Sequence, residues 1–221
     1  TFDILNEIFI RSKFHFGISD ERELAGKMID AVAQDVYYKD EPQIWIFDRG
    51  FPSLSLIQKL LEHRLYFVMR VSSSFLKEVN AFRKSKYVDR VIHIEYSEHR
   101  ATQNHVHSDG ISQFDLRCVR VKLPSGEDEI LVTNLDRKDF PKRDIKEIYR
   151  LRWGIETGFN YLKNAVFVEE FVSKTENGLA QDYFVSLLVY NFATCICGSM
   201  YPNIPKKENT STRSIEELPP D

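Results

Sequence analysis

The chain is expected to be an α/β protein, a mixed sheet flanked by helices and interrupted by a β-rich section, and three stretches carry that expectation. The apolar run QIWIFD, the amphipathic LSLIQKLLEHR and the second run LYFVMRV follow one another through short links. A strand, helix, strand order of this kind predicts a parallel pair. From 72 to 135 the texture changes, and RVIHIEYS, FDLRCVRVKL and EILVTNL predict antiparallel strands, with PSGED as a turn between the last two. Residues 141–164 and about 176–200 then predict helices.

The remaining elements follow from local signals. TFDILNEIFI and KFHFGI are short β-rich runs and predict a hairpin at the very start. SDERELAGKMIDAVAQDV predicts a helix, with Ser19 or Asp20 as N-cap and Leu24, Met28, Ile29 and Val32 at helical spacing. The expected layout is a core from 1 to 71, an inserted β-rich section from 72 to 135, and closing helices from 136 to 200. The polar, Pro-containing tail 201–221 is expected to be disordered. The chain opens on Thr-Phe-Asp, without Met, in a segment that already reads as a strand, so a piece of a longer protein is expected.

Composition narrows the function classes. No run of about 18 apolar residues and no leader-like start is present, so neither a membrane partner nor export is expected, and a cytoplasmic location is. Cys118, Cys195 and Cys197 are odd in number and lack zinc spacing, which argues against a disulfide framework. Cys195 and Cys197 are expected to be buried small residues of a helix. His99, His105 and His107 sit among polar residues and read as an exposed loop, not a metal site. The net charge of -3 gives no global sign of nucleic acid, but its distribution does. Residues 1–48 carry ten acids against five Lys or Arg, whereas 137–163 carry eight basic residues against four acids. A polyanion would meet the second stretch.

That stretch contains IYRLRWGIETGFNYLK, residues 148–163. On a continuous helix at about 100° per residue, Tyr149, Arg152, Glu156 and Lys163 share one stripe, bordered by Ile148, Leu151, Ile155, Phe159 and Leu162 on the buried side. Trp153 flanks the stripe, as a packing residue or a DNA-stacking one. Arg152 and Glu156 alone amount to an ordinary i,i+4 pair worth about 0.2–0.5 kcal/mol. In the parallel unit, functional groups gather at the carboxyl ends of strands, and Asp48 ends QIWIFD with Arg49 directly after it.

The spacing Tyr149, two residues, Arg152, three residues, Glu156, six residues, Lys163 resembles the Y-x2-R-x3-E-x6-K signature of DDE transposases of the insertion sequence four family. DERELA, IFDRGF, LVTNL, RWGIE and LVYNF are similar to that family in the expected order, over about residues 1–200. The resemblance implies a ribonuclease H-like fold in which three acids converge on Mg²⁺, with Mn²⁺ able to substitute. Asp48 would be the second acid and Glu156 the third, both metal ligands. The first would lie on a strand before TFDILNEIFI, with Asp3 the nearest substitute, so the fragment is expected to be N-terminally truncated and inactive alone. Tyr149, Arg152 and Lys163 would hold DNA phosphates, joined by Arg49 and Trp153. The implied partners are transposon ends, target DNA and a second copy in a homodimeric synaptic complex. The implied reaction is DNA strand cleavage and transfer. A nuclease of the same fold without strand transfer, or a non-catalytic DNA-binding remnant, is the alternative.

Overall fold

The computed structural model describes residues 1–15, 20–95, 113–123, 126–165 and 173–200. In chain order the elements are β1 (Phe2–Asp3), β2 (Ile8–Phe9), α1 (Glu21–Ala33), β3 (Ile44–Phe47), α2 (Leu54–Glu62), β4 (Tyr66–Arg70), α3 (Lys77–Lys84), β5 (Asp89–Glu95), β6 (Gln113–Lys122), β7 (Asp128–Thr133), α4 (Lys142–Arg150), α5 (Trp153–Ala165) and α6 (Glu176–Met200). They form two units. A sheet unit takes the described residues between 20 and 150, and a helical unit takes 1–15, 151–165 and 173–200.

The sheet unit is built on five strands in the order β3-β4-β7-β6-β5. Only β3 and β4 run parallel, with Phe47 opposite Met69, as expected for two strands joined through a helix. The strands of 72–135 join this same sheet: β7 pairs antiparallel with β4, and β6 lies between β7 and β5. Alternation along β4 sends Phe67 and Met69 to one face and Tyr66 and Val68 to the other. The first face meets α1, α2 and α3 through Ile29, Ile57, Leu60, Val79 and Phe82. The second meets α4 through Ile145 and Ile148. A sheet covered on both faces carries near-continuous apolar strands, which is why β7 reads EILV without polar alternation.

The helix starts follow their caps. Asp20, not Ser19, caps α1 by accepting from the backbone N–H of Arg22 at 2.8 Å. Ser53 caps α2 through Leu56. The helix α3, inside the stretch expected to be β-rich, was not foreseen; its C-terminal carbonyls Phe82, Arg83 and Ser85 are gathered by Arg120 of β6.

In the helical unit the hairpin lies inside the first run, not between TFDILNEIFI and KFHFGI. Phe2 pairs with Phe9 and Asp3 with Ile8. The physical reason is the turn chemistry of Asp3, whose Oδ1 accepts from the N–H groups of Leu5 and Asn6 at 2.9 and 3.1 Å. Glu7 completes the turn at φ 57°. Residues 11–15 form no strand, and 16–19 lie outside the described residues. The side-chain amide of Asn191 on α6 accepts from Phe9 N and donates to Phe9 O, both at 2.8 Å, as a neighbouring strand would. Gly154 and Gly158 on α5 let the hairpin approach: a Cβ would come within 3.1 Å of Ile4 at the first and of Phe2 at the second. Cys195 and Cys197 are exposed, contrary to expectation, because α6 turns Leu187 and Tyr190 inward and leaves Leu188, Phe192 and Ile196 outward. The histidines 99, 105 and 107 and the tail 201–221 lie outside the described residues. No helix among the described residues is long and apolar enough to cross a membrane.

One buried ion pair ties the sheet unit together. Arg117 of β6 and Asp89 of β5 are almost fully buried and meet through two hydrogen bonds of 3.0 and 2.9 Å. Burial by itself would raise the Asp89 carboxyl; the hydrogen bonds and charge of Arg117, then those of Arg137, overcome it and hold the group below the ordinary carboxylate range. Replacing Asp89 with Asn leaves a buried guanidinium without its counter-charge and is expected to cost about 3–5 kcal/mol, measured by urea unfolding. Because the folded-state pKa is depressed, the pair's contribution is present above the unfolded value and is lost as pH falls through the folded one. Wild-type stability is therefore expected to fall with acid below about pH 4, with a shallower fall in Asp89→Asn.

Candidate active site

Asp48 follows β3 directly, at the carboxyl end of the parallel pair. Its position arises from the apolar strand that precedes it and from the turn after it, where the N–H of Phe51 is bonded to the Asp48 carbonyl at 3.1 Å. The side chain is 43% exposed. Its Oδ1 accepts from the backbone N–H of Arg49 at 2.8 Å and from the phenol of Tyr149 at 3.1 Å. Tyr149 is carried on α4, whose apolar residues Ile145 and Ile148 rest on Val68 and Leu131. Two residues 101 positions apart in the chain are thus joined by the packing of one helix on one face of the sheet.

Two further charged groups complete this cluster, and both escaped the sequence reading. Arg70 ends β4 and, one step beyond the Phe47 and Met69 pair, stands beside Asp48, with its Nη1 3.7 Å from Oδ1. Glu129 of β7 is buried, makes a close ion pair with Arg70, and lies 3.6 Å from Nη2 of Arg49. Arg49 itself is mostly exposed, so its pairing with Glu129 leaves much of the guanidinium in water. The signal that would have found Arg70 and Glu129 is register: β4 pairs with β7, which is distant in sequence, with Arg70 opposite Leu131.

The expected single helix from 141 to 164 is broken. Leu151 and Arg152 form a turn between α4 and α5, and the first bonds beyond it, from Gly154 N to Leu151 O and from Ile155 N to Arg152 O, have the tight i to i−3 span. The continuous wheel therefore does not describe the motif, and Tyr149 belongs to the sheet unit, whereas Arg152, Trp153, Glu156 and Lys163 belong to the helical unit. The break also re-phases the buried side: Gly158 and Leu162 are buried, but Phe159 is exposed.

Within the helical unit Arg152 donates from Nη1 to Glu156 Oε1 at 2.8 Å across one helical turn. Arg152 is largely buried and Glu156 is 43% exposed, so the carboxylate reaches water while its partner is held. The guanidinium also lies 5.1 Å from the ring centre of Trp153, a cation–π geometry, and Trp153 is exposed and not packed in a core. Lys163 is exposed two turns beyond Glu156 on the same flank of α5.

Both carboxylates, Asp48 and Glu156, are half-exposed oxygen donors, the kind of ligand a hard divalent cation takes together with water and phosphate oxygens. No group of three or more His, Cys, Asp or Glu able to hold a metal occurs among the described residues. The donor chemistry fits Mg²⁺ as far as two single carboxylates can, and it excludes a thiolate or imidazole site.

Residues 1–192 match the profile of a family described as Transposase DDE domain. The chain belongs to this family. It is 27% identical over 148 residues to "Putative transposase y4zB" of Sinorhizobium fredii (strain NBRC 101917 / NGR234), covering 66% of this chain and 40% of that protein. It is 22% identical over 180 residues to "Probable transposase for insertion sequence element IS5377" of Geobacillus stearothermophilus, covering 78% of this chain and 43% of that protein. The chain spans about two-fifths of the length of the curated relatives it matches. The mixed sheet flanked by helices agrees with the ribonuclease H-like core expected for such a transposase domain.

The Tyr149 contact can be measured directly. Tyr149→Phe removes one part-buried hydrogen bond to a carboxylate and keeps the ring against the sheet, so a stability loss of about 1 kcal/mol is expected in urea unfolding.

Proposed function

We propose that this chain is the catalytic-core portion of a DNA transposase of the insertion sequence four type. It binds transposon ends and target DNA and carries out divalent-metal-dependent strand cleavage and strand transfer. The observation that carries this reading is the hydrogen bond from Tyr149, the first residue of the Y-x2-R-x3-E-x6-K motif, to Asp48, the acid at the end of the parallel pair. A motif residue and a strand-end acid chosen on separate grounds are direct partners. In this reading Asp48 and Glu156 are metal-binding acids, and residues 72–135 are a section inserted into the core.

Bound Mg²⁺, or Mn²⁺ in its place, would activate the attacking oxygen and stabilise the leaving one. The chain's own residues do the rest. Tyr149 orients the Asp48 carboxylate through Oδ1, and Arg152 does the same for Glu156. Lys163 offers a compact exposed charge to a phosphate, Arg49 a mostly exposed guanidinium, and Trp153 an exposed ring for a base or sugar. Phosphate contacts of this type fix register on DNA and carry no sequence information. A synaptic complex would place two copies on paired ends.

The test uses the full open reading frame that contains this chain and a DNA duplex bearing the terminal inverted repeat. Asp48→Asn and Glu156→Gln are each expected to lower Mn²⁺-dependent cleavage by about a hundredfold or more, and a variant that cuts like the wild type would remove that residue from the metal site. Products joined to target DNA are expected; hydrolysis with no joined product would make the protein a nuclease, and DNA binding with no cleavage at all would make it a non-catalytic remnant. Lys163→Ala is expected to weaken binding equally on all sequences and to reduce the salt dependence by about one counterion.

A further inference from the structure

Glu129 is a carboxylate buried among cations. It is 5% exposed, sits on the sheet face that α4 covers, and makes ion pairs with Arg70 and Arg49. Arg70 is bound at one nitrogen by Glu129, while its other terminal nitrogen is 3.7 Å from Asp48 Oδ1, beyond hydrogen-bond length. The guanidinium is therefore shared unequally between two carboxylates, and the buried one has the closer hold. A buried charge is tolerated only when paired, so Glu129 has a strong requirement for Arg70, whereas Asp48, half in water, has a weak one.

We infer that Glu129 is a positioning residue that holds the guanidiniums of Arg70 and Arg49 back from Asp48 and so keeps that carboxylate available to a divalent cation. The inference rests on the reading of Asp48 as a metal-binding acid. An arginine close to a carboxylate competes with a metal for the same oxygens and repels it by charge. With Glu129 in place the cation beside Asp48 is neutralised and tethered at its far end. Without it, Arg70 has one acid left within reach and closes on Asp48. Glu129 thus acts on the metal only through Arg70 and Arg49, and need not touch metal or DNA.

The measurement is Mn²⁺ binding to the full chain, followed by the loss of the free-ion electron paramagnetic resonance signal, with no DNA present. Glu129→Gln is expected to raise the Mn²⁺ dissociation constant about fivefold or more. Arg70→Gln alone is expected to tighten binding by about twofold, whereas in the Glu129→Gln background it is expected to return the constant to the wild-type value, a non-additive result. Strict additivity would mean that Glu129 acts only through its own field, and would overturn the proposal. If Glu129→Gln does not fold, Glu129→Asp keeps the charge and withdraws its reach; it is expected to weaken Mn²⁺ binding as well, and unchanged affinity would overturn the inference. Asp48→Asn separates the two readings: if it leaves Mn²⁺ binding intact, the metal role of Asp48 fails, and the fault lies with that assignment and not with Glu129.

Discussion

The sheet unit depends on a charge pair placed where charges are costly. Arg117 and Asp89 sit almost out of reach of water on the face that α4 covers, and the desolvation of both is offset by bidentate geometry and by a second cation, Arg137. What the pair secures is a link. The Nη1 of Arg117 donates to the carbonyls of Leu135, Asp136 and Phe140, three groups in the segment that leads from β7 to α4. Those carbonyls have no strand or helix partner of their own, and a single guanidinium satisfies all of them. The direction in which α4 leaves the sheet, and hence the reach of Tyr149 to Asp48, follows from that arrangement.

A second device recurs in both units: an asparagine amide that stands in for a missing strand. Asn134 accepts from Phe67 N and donates to Leu65 O, continuing the β4 ladder where β7 has ended. Asn191 does the same for Phe9 from a helix. Each amide supplies one donor and one acceptor at the spacing a peptide unit would, so a strand edge is closed without further chain. These are the asparagines of LVTNL and LVYNF, two of the stretches on which the family resemblance rests. Their part in the fold is hydrogen bonding to backbone.

Legibility in the sequence tracked how local each cause was. The parallel pair, α1, α2, α6 and the antiparallel strands were readable because periodicity and caps are properties of a few neighbouring residues. Asp48 was readable because a strand end is a local feature. Arg70 and Glu129 were not, since each looks like one polar residue in an apolar strand, and their meeting depends on the pairing of β4 with β7 across more than fifty residues. The break at Leu151 and Arg152 escaped for a different reason: no Pro marks it, and the apolar spacing on either side happens to continue the same phase. The start hairpin was misplaced because the Asx turn of Asp3 outweighs the β propensity of the residues around it.

The turn at Leu151 and Arg152 also changes what the motif's spacings mean. The interval from Arg152 to Glu156 is one helical turn, and a residue added there would swing the two side chains apart by about 100°. The interval from Tyr149 to Arg152 is not helical, and each of these residues closes its own contact within its own unit, Tyr149 on Asp48 and Arg152 on Glu156. A residue gained or lost between them would leave both contacts standing. The two halves of one signature are therefore held under different rules, one by the pitch of a helix and the other by the length of a connecting turn. Among related chains, variation in length belongs at that turn before it belongs anywhere else in the motif.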